Sequence, residues 1–335
     1  MSEIDKRNVY SRTKIDAIKA KLQQSATLVS EKACVYATGS YGRSEAGQNS
    51  DLDLFIISKA KKKPKEEPDD RAFKNQLSNL DAICVKAELI RTIKGLGIKQ
   101  FDGDGKYLDE YNADMLIKYI GDPEDDSENT FTARLLLLLE STPILEINVY
   151  NEVIQDVIAE YWKDYPKHSQ SFVPAYLAND ILRLWRTFCV NYEARTKKTP
   201  EEKRIKRKIK NYTLKYSRVI TCYSALLYLL NTYKTKGTVH VEDAKEMVSL
   251  RPIDRLRRLE SDPALNASKP RLQNVINMYN EYLESKRDEG LLFSAFSDSA
   301  RAHAYIESGN RFCEAMFRAL NEIGTDSRLH QILLI

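Results

Sequence analysis

The sequence predicts an α+β protein in which a sheet-containing N-terminal domain is followed by an entirely helical half. Two short apolar runs, at residues 33–38 and 51–58, have the composition and the flanking turn residues of β-strands. After residue 172, every apolar pattern has the spacing of an amphipathic helix. A chain of 335 residues, 42 % of them hydrophobic, also exceeds what one ordinary core requires, so two domains are expected.

The first predicted elements are a helix and a strand. Apolar residues recur at helical spacing over residues 10–29, and the β-type run "ACVYATG" follows. The second strand is "DLDLFIIS", which "GQNS" precedes. The run that follows it, residues 59–70, is so charged and proline-containing that we predict a solvated loop.

Helical patterns and turns then alternate. Residues 71–92 carry apolar side chains at helical intervals, and four glycines interrupt the pattern in "KGLGIKQFDGDGKYL", which leaves room for turns and a short strand. A dense apolar run, "FTARLLLLLESTPI", and an amphipathic segment, "YNEVIQDVIAEYW", follow. These patterns complete the predicted N-terminal domain.

The boundary between the two domains is predicted near "DYPKHSQSFVP". Composition changes there, and Pro166 and Pro174 disfavour helix at the residues before them. We therefore expect domains at residues 1–165 and 166–335.

Several classes of protein are disfavoured by composition. No run of 18 apolar residues occurs, and the N-terminus lacks the basic-then-apolar order of a secretory signal, so we expect a cytoplasmic protein with no membrane partner. Five scattered cysteines predict neither disulfides nor a zinc site, and the four histidines share no metal-ligand spacing. The net charge of +4 indicates no particular partner, and the oligomeric state is left open.

One stretch, "TGSYGRSEAGQNSDLDLFIIS", carries a candidate metal site. Asp51 and Asp53 are two residues apart on a predicted strand, so they project to the same side with α-carbons roughly 6 to 7 Å apart. Two carboxylates on a half-buried strand repel each other unless a cation joins them. Mg²⁺ is usually held by one or two carboxylates together with substrate phosphates, so the pair predicts a divalent-metal site.

The same stretch carries a candidate phosphate site. Gly39 lets the backbone approach a phosphate closely, and Ser40 is placed to begin a short helix whose free N–H groups favour anions. A Gly-Ser turn or an Asp-x-Asp strand edge is common by itself. Here the Gly-Ser turn follows one strand-like run, and the aspartates begin the next run after an interval of ten residues. This order favours a phosphate-binding turn and a metal-binding pair of aspartates on adjacent strands.

The segment "GSYGRSEAGQNSDLDL" resembles the signature of the DNA polymerase β-like nucleotidyltransferase superfamily. Its Gly-Arg pair, residues 42 and 43, is similar to the pair found in the subset that contains bacterial PII uridylyltransferase. Weaker similarity to a predicted bacterial branch of these enzymes continues through "FDGDGKYL", "FTARLLLLLESTPI" and "LANDILRLWRTFCVNYE". The resemblance implies a mixed-sheet catalytic domain with two divalent metals, Mg²⁺ or Mn²⁺. It also implies transfer of a nucleoside monophosphate from an NTP such as ATP, with release of pyrophosphate.

The resemblance also assigns roles to individual residues. It implies that Gly39 and Ser40 hold the β and γ phosphates and that Asp51 and Asp53 bind the metals. Arg43 and Ser50 support the loop or touch phosphate in the same scheme.

Many enzymes of this superfamily carry a third carboxylate on a neighbouring strand. Asp104 follows a plausible short strand, although "DGDG" is equally typical of a turn. Glu140 ends five consecutive leucines, so it must lie at the edge of the core or be paired. Asp104 is the leading candidate, and Asp102, Asp114 and a site with two carboxylates stay open beside these two.

The helical half is expected to close the nucleotide cleft and to contact the acceptor. Asn179 and Arg183 lie four residues apart on one polar helix face. This face would line the cleft, or it would be a solvated face with Asp180 paired to Arg183.

Helical domains of these enzymes often contribute a Lys and a Ser that bind the γ-phosphate, which points to Lys215 and Ser217. Residues 195–218 hold eleven Lys and Arg, and "KRIKRKIKNY" is either a solvated face or a contact for the RNA backbone.

Three hypotheses follow. The first is a metal-dependent nucleotidyltransferase that modifies a hydroxyl of a macromolecule, either a protein side chain or an RNA end. The second is a synthase of signalling oligonucleotides or a small-molecule adenylyltransferase. The third is a non-catalytic module that senses nucleotides. The sequence specifies neither the base nor the acceptor.

Overall fold

A computed structural model describes residues 1–61, 73–99, 108–194 and 201–334. The chain divides into two compact units, one formed by Asp5–Glu160 and the other by Met1–Ile4 with Tyr161–Ile335. The first unit contains the sheet, and the second is helical, so the predicted α+β class is confirmed. The functional division into domains at residues 1–165 and 166–335 stays a prediction.

The sheet unit is built from four strands in the described residues and from helices on both sides of them. The strands are β1 (Ala33–Thr38), β2 (Asp53–Ser58), β3 (Glu110–Asn112) and β4 (Thr142–Leu145). The helices are α1 (Glu3–Lys21), α2 (Gln23–Val29), α3 (Gly39–Gly42), α4 (Asn79–Gly95), α5 (Ala113–Lys118), α6 (Glu124–Ser127), α7 (Thr130–Glu140) and α8 (Ile147–Tyr161).

Three element boundaries differ from the sequence prediction. The helix expected over residues 10–29 is two helices, because the backbone of the buried Leu22 leaves helical geometry between them. The helix expected from residue 71 begins at Asn79, where the hydroxyl of Ser78 accepts a hydrogen bond from the Asp81 N–H and caps it. The apolar run from residue 131 is both α7 and β4, which periodicity alone does not separate.

The sheet has the order β3-β2-β1-β4. β1 runs antiparallel to β2 and to β4, whereas β3 runs parallel to β2, so the sheet is mixed as the resemblance implied. In the β1–β2 pair Ala33 lies opposite Ser58 and Thr38 lies opposite Asp53. The end of β1 and the beginning of β2 therefore meet at one end of the sheet.

Helices cover both faces of the sheet. Leu54 and Ile56 belong to a buried core with residues of α1, α2 and α4. On the other face the rings of Tyr36 and Phe55 stack with centroids 5.6 Å apart, and the Tyr36 hydroxyl donates to the Ala133 carbonyl of α7. Since Asp53 alternates in phase with Phe55, it lies on the face that α7 covers.

The second unit is helical throughout its described residues. Its helices are α9 (Tyr165–His168), α10 (Ala175–Ala194), α11 (Glu201–Lys236), α12 (Val241–Ser249), α13 (Pro252–Glu260), α14 (Lys269–Ser285), α15 (Glu289–Ser297), α16 (Ser299–Gly324) and α17 (Arg328–Leu334). The 36-residue α11 packs against α10, α13 and α16. Tyr216 of α11 stacks on Tyr282 of α14 with ring centroids 4.3 Å apart, so aromatic contacts hold this helix in its unit.

In the part of the chain that the structure describes, none of the helices combines the length and the apolar character needed to cross a bilayer.

Candidate nucleotide-binding site

The Gly-Ser turn and the aspartate-bearing strand are brought together by the β1–β2 pair. Thr38, the last residue of β1, lies opposite Asp53, the first residue of β2. The chain enters the single turn of α3 at Gly39, directly after Thr38. The prediction that the turn and the acidic pair lie on adjacent strands is confirmed.

Gly39 and Asp53 share the space at the end of the two strands. A Cβ atom placed on Gly39 would lie 2.8 Å from Oδ2 of Asp53, and Gly39 has φ of +63°. A side chain at this position would strain the backbone and would have to displace the Asp53 carboxylate. The missing side chain of Gly39 leaves room for the Asp53 carboxylate, and the approach of a phosphate to Gly39 stays a prediction.

Asp51 and Asp53 both point away from the buried core of the sheet unit. Leu52 between them is 1 % exposed and belongs to that core, so strand alternation directs its two neighbours to the opposite side. Asp53 is half-buried and Asp51 is exposed. Burial raises the pKa of the Tyr41 phenol, and the nearby Tyr10 and the charge of Asp51 raise it further. Asp51 therefore lies within electrostatic range of α3.

A buried ion-pair network supports the turn. The Arg43 guanidinium donates from Nε to the Glu45 carboxylate at 2.8 Å and from Nη1 to the Glu140 carboxylate at 2.7 Å. All three side chains are at most 8 % exposed. These contacts tie the turn to the end of α7, and the nucleotide-binding role of Arg43 stays a prediction. They also give Glu140 a cationic partner, as its place at the end of five leucines requires.

The backbone of α3 is also held tightly against the end of α7. A Cβ atom on Gly42 would lie 2.0 Å from the Glu140 carbonyl oxygen and 2.9 Å from that of Ala37. The Thr142 hydroxyl donates to the Gly42 carbonyl at 3.0 Å. Gly42 is therefore fixed by close backbone approach.

Hydrogen bonds hold the segment between α3 and β2 as well. The Ser50 hydroxyl accepts from the Gly47 N–H at 2.9 Å, so Ser50 closes a turn. Ser11 accepts from the Ala46 N–H at 2.9 Å, and Arg7 donates to the Glu45 carbonyl at 3.2 Å. Sequence reasoning missed Arg7, Ser11 and Thr142, because each acts from a distant part of the chain and no local pattern marks it.

The candidates for a third carboxylate fall in different places. Asp104 and Asp102 lie outside the described residues. Asp114 lies in α5, two residues beyond Asn112. Asn112 pairs with Ser58 at the far end of β2, and Ser58 is roughly 17 Å along that strand from Asp53. Asp114 is therefore ruled out as a partner of Asp53. Within the described ranges no group of three or more His, Cys, Asp and Glu is placed to hold a metal.

The donor set in the described part of the site is thus the Asp51–Asp53 pair. Carboxylate oxygens are the hard ligands that Mg²⁺ and Mn²⁺ prefer, and two carboxylates are enough where substrate phosphates complete the coordination. The residues present fit such an ion.

The predicted polar face of the helical unit lies on α10. Asn179 is exposed there. Arg183 lies 4.0 Å from the Asp180 carboxylate, which also accepts a hydrogen bond from the Tyr161 hydroxyl at 2.5 Å. The Asp180–Arg183 pair that the sequence offered as the alternative is present, and the nucleotide-binding role of Asn179 and Arg183 stays a prediction.

Lys215 and Ser217 lie on α11 of the same unit. The Lys215 ammonium donates to the Asn310 side chain of α16, and Ser217 is buried. Two residues apart on a helix are separated by about 200° around its axis, so the two side chains point in different directions. Their predicted role at the γ-phosphate stays a prediction.

The mixed sheet, the Gly-Ser turn at the end of β1 and the aspartates at the start of β2 form the arrangement that the sequence resemblance implied for a nucleotidyltransferase domain. Residues 15–101 match the family model of the nucleotidyltransferase domain, about a quarter of the chain that includes Gly39 and both aspartates. The match identifies this segment as a nucleotidyltransferase domain of the DNA polymerase β-like superfamily and supports a transferase activity. The likeness to the PII uridylyltransferase branch stays a prediction. No curated protein and no solved structure matched the chain.

Proposed function

We propose that this protein transfers a nucleoside monophosphate from an NTP to a hydroxyl group of a macromolecular acceptor, RNA or protein, and releases pyrophosphate. The observation that carries the proposal is the 2.8 Å approach of the Asp53 carboxylate to the Cβ position of Gly39. It joins the metal-binding pair to the phosphate-binding turn within one compact unit.

Asp51 and Asp53 would hold Mg²⁺ or Mn²⁺. The bound ion neutralises charge on the phosphoryl oxygens and polarises the groups that bond to phosphorus. The half-buried Asp53 lies against α3, and the exposed Asp51 extends the acidic surface toward solvent. This difference in burial makes Asp53 the fixed member of the pair and Asp51 the member nearer the solvent.

Ser40 and Gly39 would receive the triphosphate tail. Ser40 is half-buried in α3, directly beside Gly39, and its hydroxyl would donate to a β or γ phosphate oxygen. Because α3 is one turn long, its dipole is small, and the hydroxyl and N–H groups supply the binding. Arg43 keeps this turn in place through Glu45 and Glu140.

The proposed reaction forms one bond to the α-phosphorus and breaks another. The acceptor oxygen attacks the α-phosphorus, the bond to the β-phosphate oxygen breaks, and pyrophosphate leaves with that electron pair. The proton of the acceptor hydroxyl passes to a base, for which we propose Asp104. Support comes from the third carboxylate that the superfamily resemblance implies, since Asp104 itself lies outside the described residues.

The test is a label-transfer assay. The protein is incubated with each α-labelled NTP and Mg²⁺ or Mn²⁺, first alone, then with total RNA, then with cell lysate. Label in RNA or protein supports the proposal. A soluble product without acceptor indicates a synthase of oligonucleotides or a small-molecule adenylyltransferase, and binding without release of pyrophosphate indicates a nucleotide sensor.

Two variants test the assigned residues. Asp51→Asn and Asp53→Asn keep size and remove charge, and each should lower turnover on the order of 100-fold or more. Asp16→Asn makes the same change at an exposed position of α1 and should leave turnover unchanged. Near-normal turnover in both site variants would show that the site is assigned wrongly.

A further inference from the structure

The N-terminal part of α11 is the most densely basic surface in the described chain, and the reaction proposed above does not use it. We define the basic patch as Lys203, Arg204, Lys206, Arg207, Lys208 and Lys210, six cations within eight residues. Between Glu202 and Glu242 the sequence contains no acidic residue. Against these six cations α11 carries two acids at its start, Glu201 and Glu202, so this end of the helix has a net charge of +4.

The patch is presented on a rigid element. Lys203, Lys206 and Lys210 are exposed and lie at i, i+3 and i+7, so they form a row about 10 Å long on one side of the helix. Ile205 and Ile209 on the remaining side are half-buried. The lysine row consequently faces solvent.

Tyr212 fixes the helix just beyond the patch. Its side chain is 4 % exposed, and its ring lies 5.7 Å from Tyr282 of α14 and 5.4 Å from Tyr305 of α16. Its hydroxyl is hydrogen-bonded to the Ser285 hydroxyl at 3.1 Å. The basic patch thus ends two residues before an aromatic anchor, which limits the movement of the helix backbone that carries it.

The chemistry of the patch fits a polyanion better than a protein or a membrane. Protein interfaces are depleted in Lys and are anchored by aromatic side chains, whereas the nearest aromatic residue here, Tyr212, is buried in its own unit. A helix that lies on a membrane inserts a broad apolar face, whereas this segment carries only Ile205 and Ile209, and both are already half-buried. Closely spaced Lys and Arg on one helix are the residues that neutralise successive phosphates.

We propose that the basic patch binds the phosphodiester backbone of RNA and that RNA is the acceptor class of this protein. The role as acceptor rests on the proposed function, whereas the binding does not. RNA combines the charge that the patch requires with ribose hydroxyl groups that a nucleotidyl group could join.

The binding test uses the full chain without NTP. Fluorescence anisotropy of a labelled single-stranded RNA is measured as a function of salt for the wild type and for the variant K203Q/K206Q/K210Q. The wild-type affinity should fall as salt rises. Removing three phosphate contacts should weaken binding at least tenfold and lower the salt slope by about 2, since each contact in single-stranded nucleic acid contributes about 0.7.

A matched control separates the patch from net charge. K234Q/K245Q/K269Q removes three exposed lysines elsewhere in the same unit, at the C-terminal end of α11 and on α12 and α14, and should leave both affinity and slope unchanged. Circular dichroism checks that both triple variants fold. Equal RNA binding by the wild type and the patch variant, or an equal loss in the control, would overturn the proposal.

The label-transfer assay then separates the two proposals. Label in RNA that is lost in the patch variant supports RNA as acceptor. Label in protein with none in RNA overturns it, although the transferase function stands. A third outcome is that RNA binding depends on the patch but pyrophosphate is never released. That result supports the patch as an RNA-binding surface and overturns the proposed transferase function.

Discussion

The carboxylate of Asp53 occupies the space that a side chain on Gly39 would fill, with Oδ2 2.8 Å from the Cβ position. This contact joins the turn after β1 to the first residue of β2, so the parts of the candidate site that we propose bind phosphate and metal are not independent. A change that moves one of them must move the other.

Gly39→Ala is therefore expected to damage the site more than the fold. The left-handed φ of +63° costs an alanine about 1 to 2 kcal/mol, and the methyl group also displaces the Asp53 carboxylate. We expect turnover in the label-transfer assay to fall on the order of 100-fold or more, while the free energy of unfolding falls by only about 2 kcal/mol.

Gly97→Ala is the matched control for this variant. Gly97 has the same φ of +63°, but nothing lies within 4 Å of its Cβ position. Its alanine variant should lose similar stability and keep its turnover. Equal losses of turnover in both variants would show that backbone strain, and not contact with Asp53, decides the effect.

Gly42→Ala should act on stability. Its new methyl group would lie 2.0 Å from the Glu140 carbonyl, which belongs to the backbone and moves only if α3 and α7 separate. Overpacking of this kind costs roughly 1 to 3 kcal/mol or more, measured by urea denaturation. Gly95→Ala, at the end of α4 with open space around its Cβ position, should be neutral or stabilising by about 0.5 to 1 kcal/mol.

Glu140→Gln tests whether Glu140 pairs with Arg43 or binds a metal. Both side chains are buried and lie 2.7 Å apart, so removing one charge should lower the free energy of unfolding by about 3 kcal/mol. The folded variant should keep most of its turnover. A variant of normal stability without turnover would contradict this role. Glu152→Gln breaks an exposed pair with Lys59 of similar length, 2.8 Å, and should cost at most about 1 kcal/mol.

Asp104→Asn tests the proposed base. We expect it to lower turnover while leaving the affinity for NTP, measured by equilibrium binding, nearly unchanged, because a base acts on the acceptor hydroxyl. Asp102→Asn, two residues earlier in the same segment, is the control. Loss of turnover in the Asp102 variant alone would move the role to that residue.

The thiol of Cys34 should make stability depend on pH. Burial raises the pKa of Cys34 from 9.0 to about 12, against a smaller opposing effect of its hydrogen bond with the Ile57 backbone. The unfolded thiol therefore loses its proton at a lower pH than the folded one, and the stability it contributes below pH 9 is lost as pH rises toward 12. The slope is about 1.4 kcal/mol for each pH unit above 9.

Cys34→Ala removes this contribution. The difference in the free energy of unfolding between wild type and variant should shrink as pH rises from 8 to 10, measured by denaturation at each pH. A constant difference would show that the buried thiol ionises as readily as it does in the unfolded chain.

The sequence by itself determined the fold class, the first two strands and the candidate residues of the site. The short β-type runs identified β1 and β2, and helical periodicity identified the C-terminal half, because both patterns record which side chains must be buried. The order of Gly39, Ser40, Asp51 and Asp53 sufficed for the superfamily, since these residue types at this spacing match few other requirements.

Only the tertiary structure decided what surrounds those residues. Segments that are distant in sequence supply the contacts of the site. They include the ion pair of Glu140, the backbone carbonyl that faces Gly42, and the hydrogen bonds of Arg7 and Thr142. Periodicity gives the face of an element that is buried but not the atom it meets there. For that reason Glu140, which the sequence could only require to be paired, needed the fold to show that its partner is Arg43.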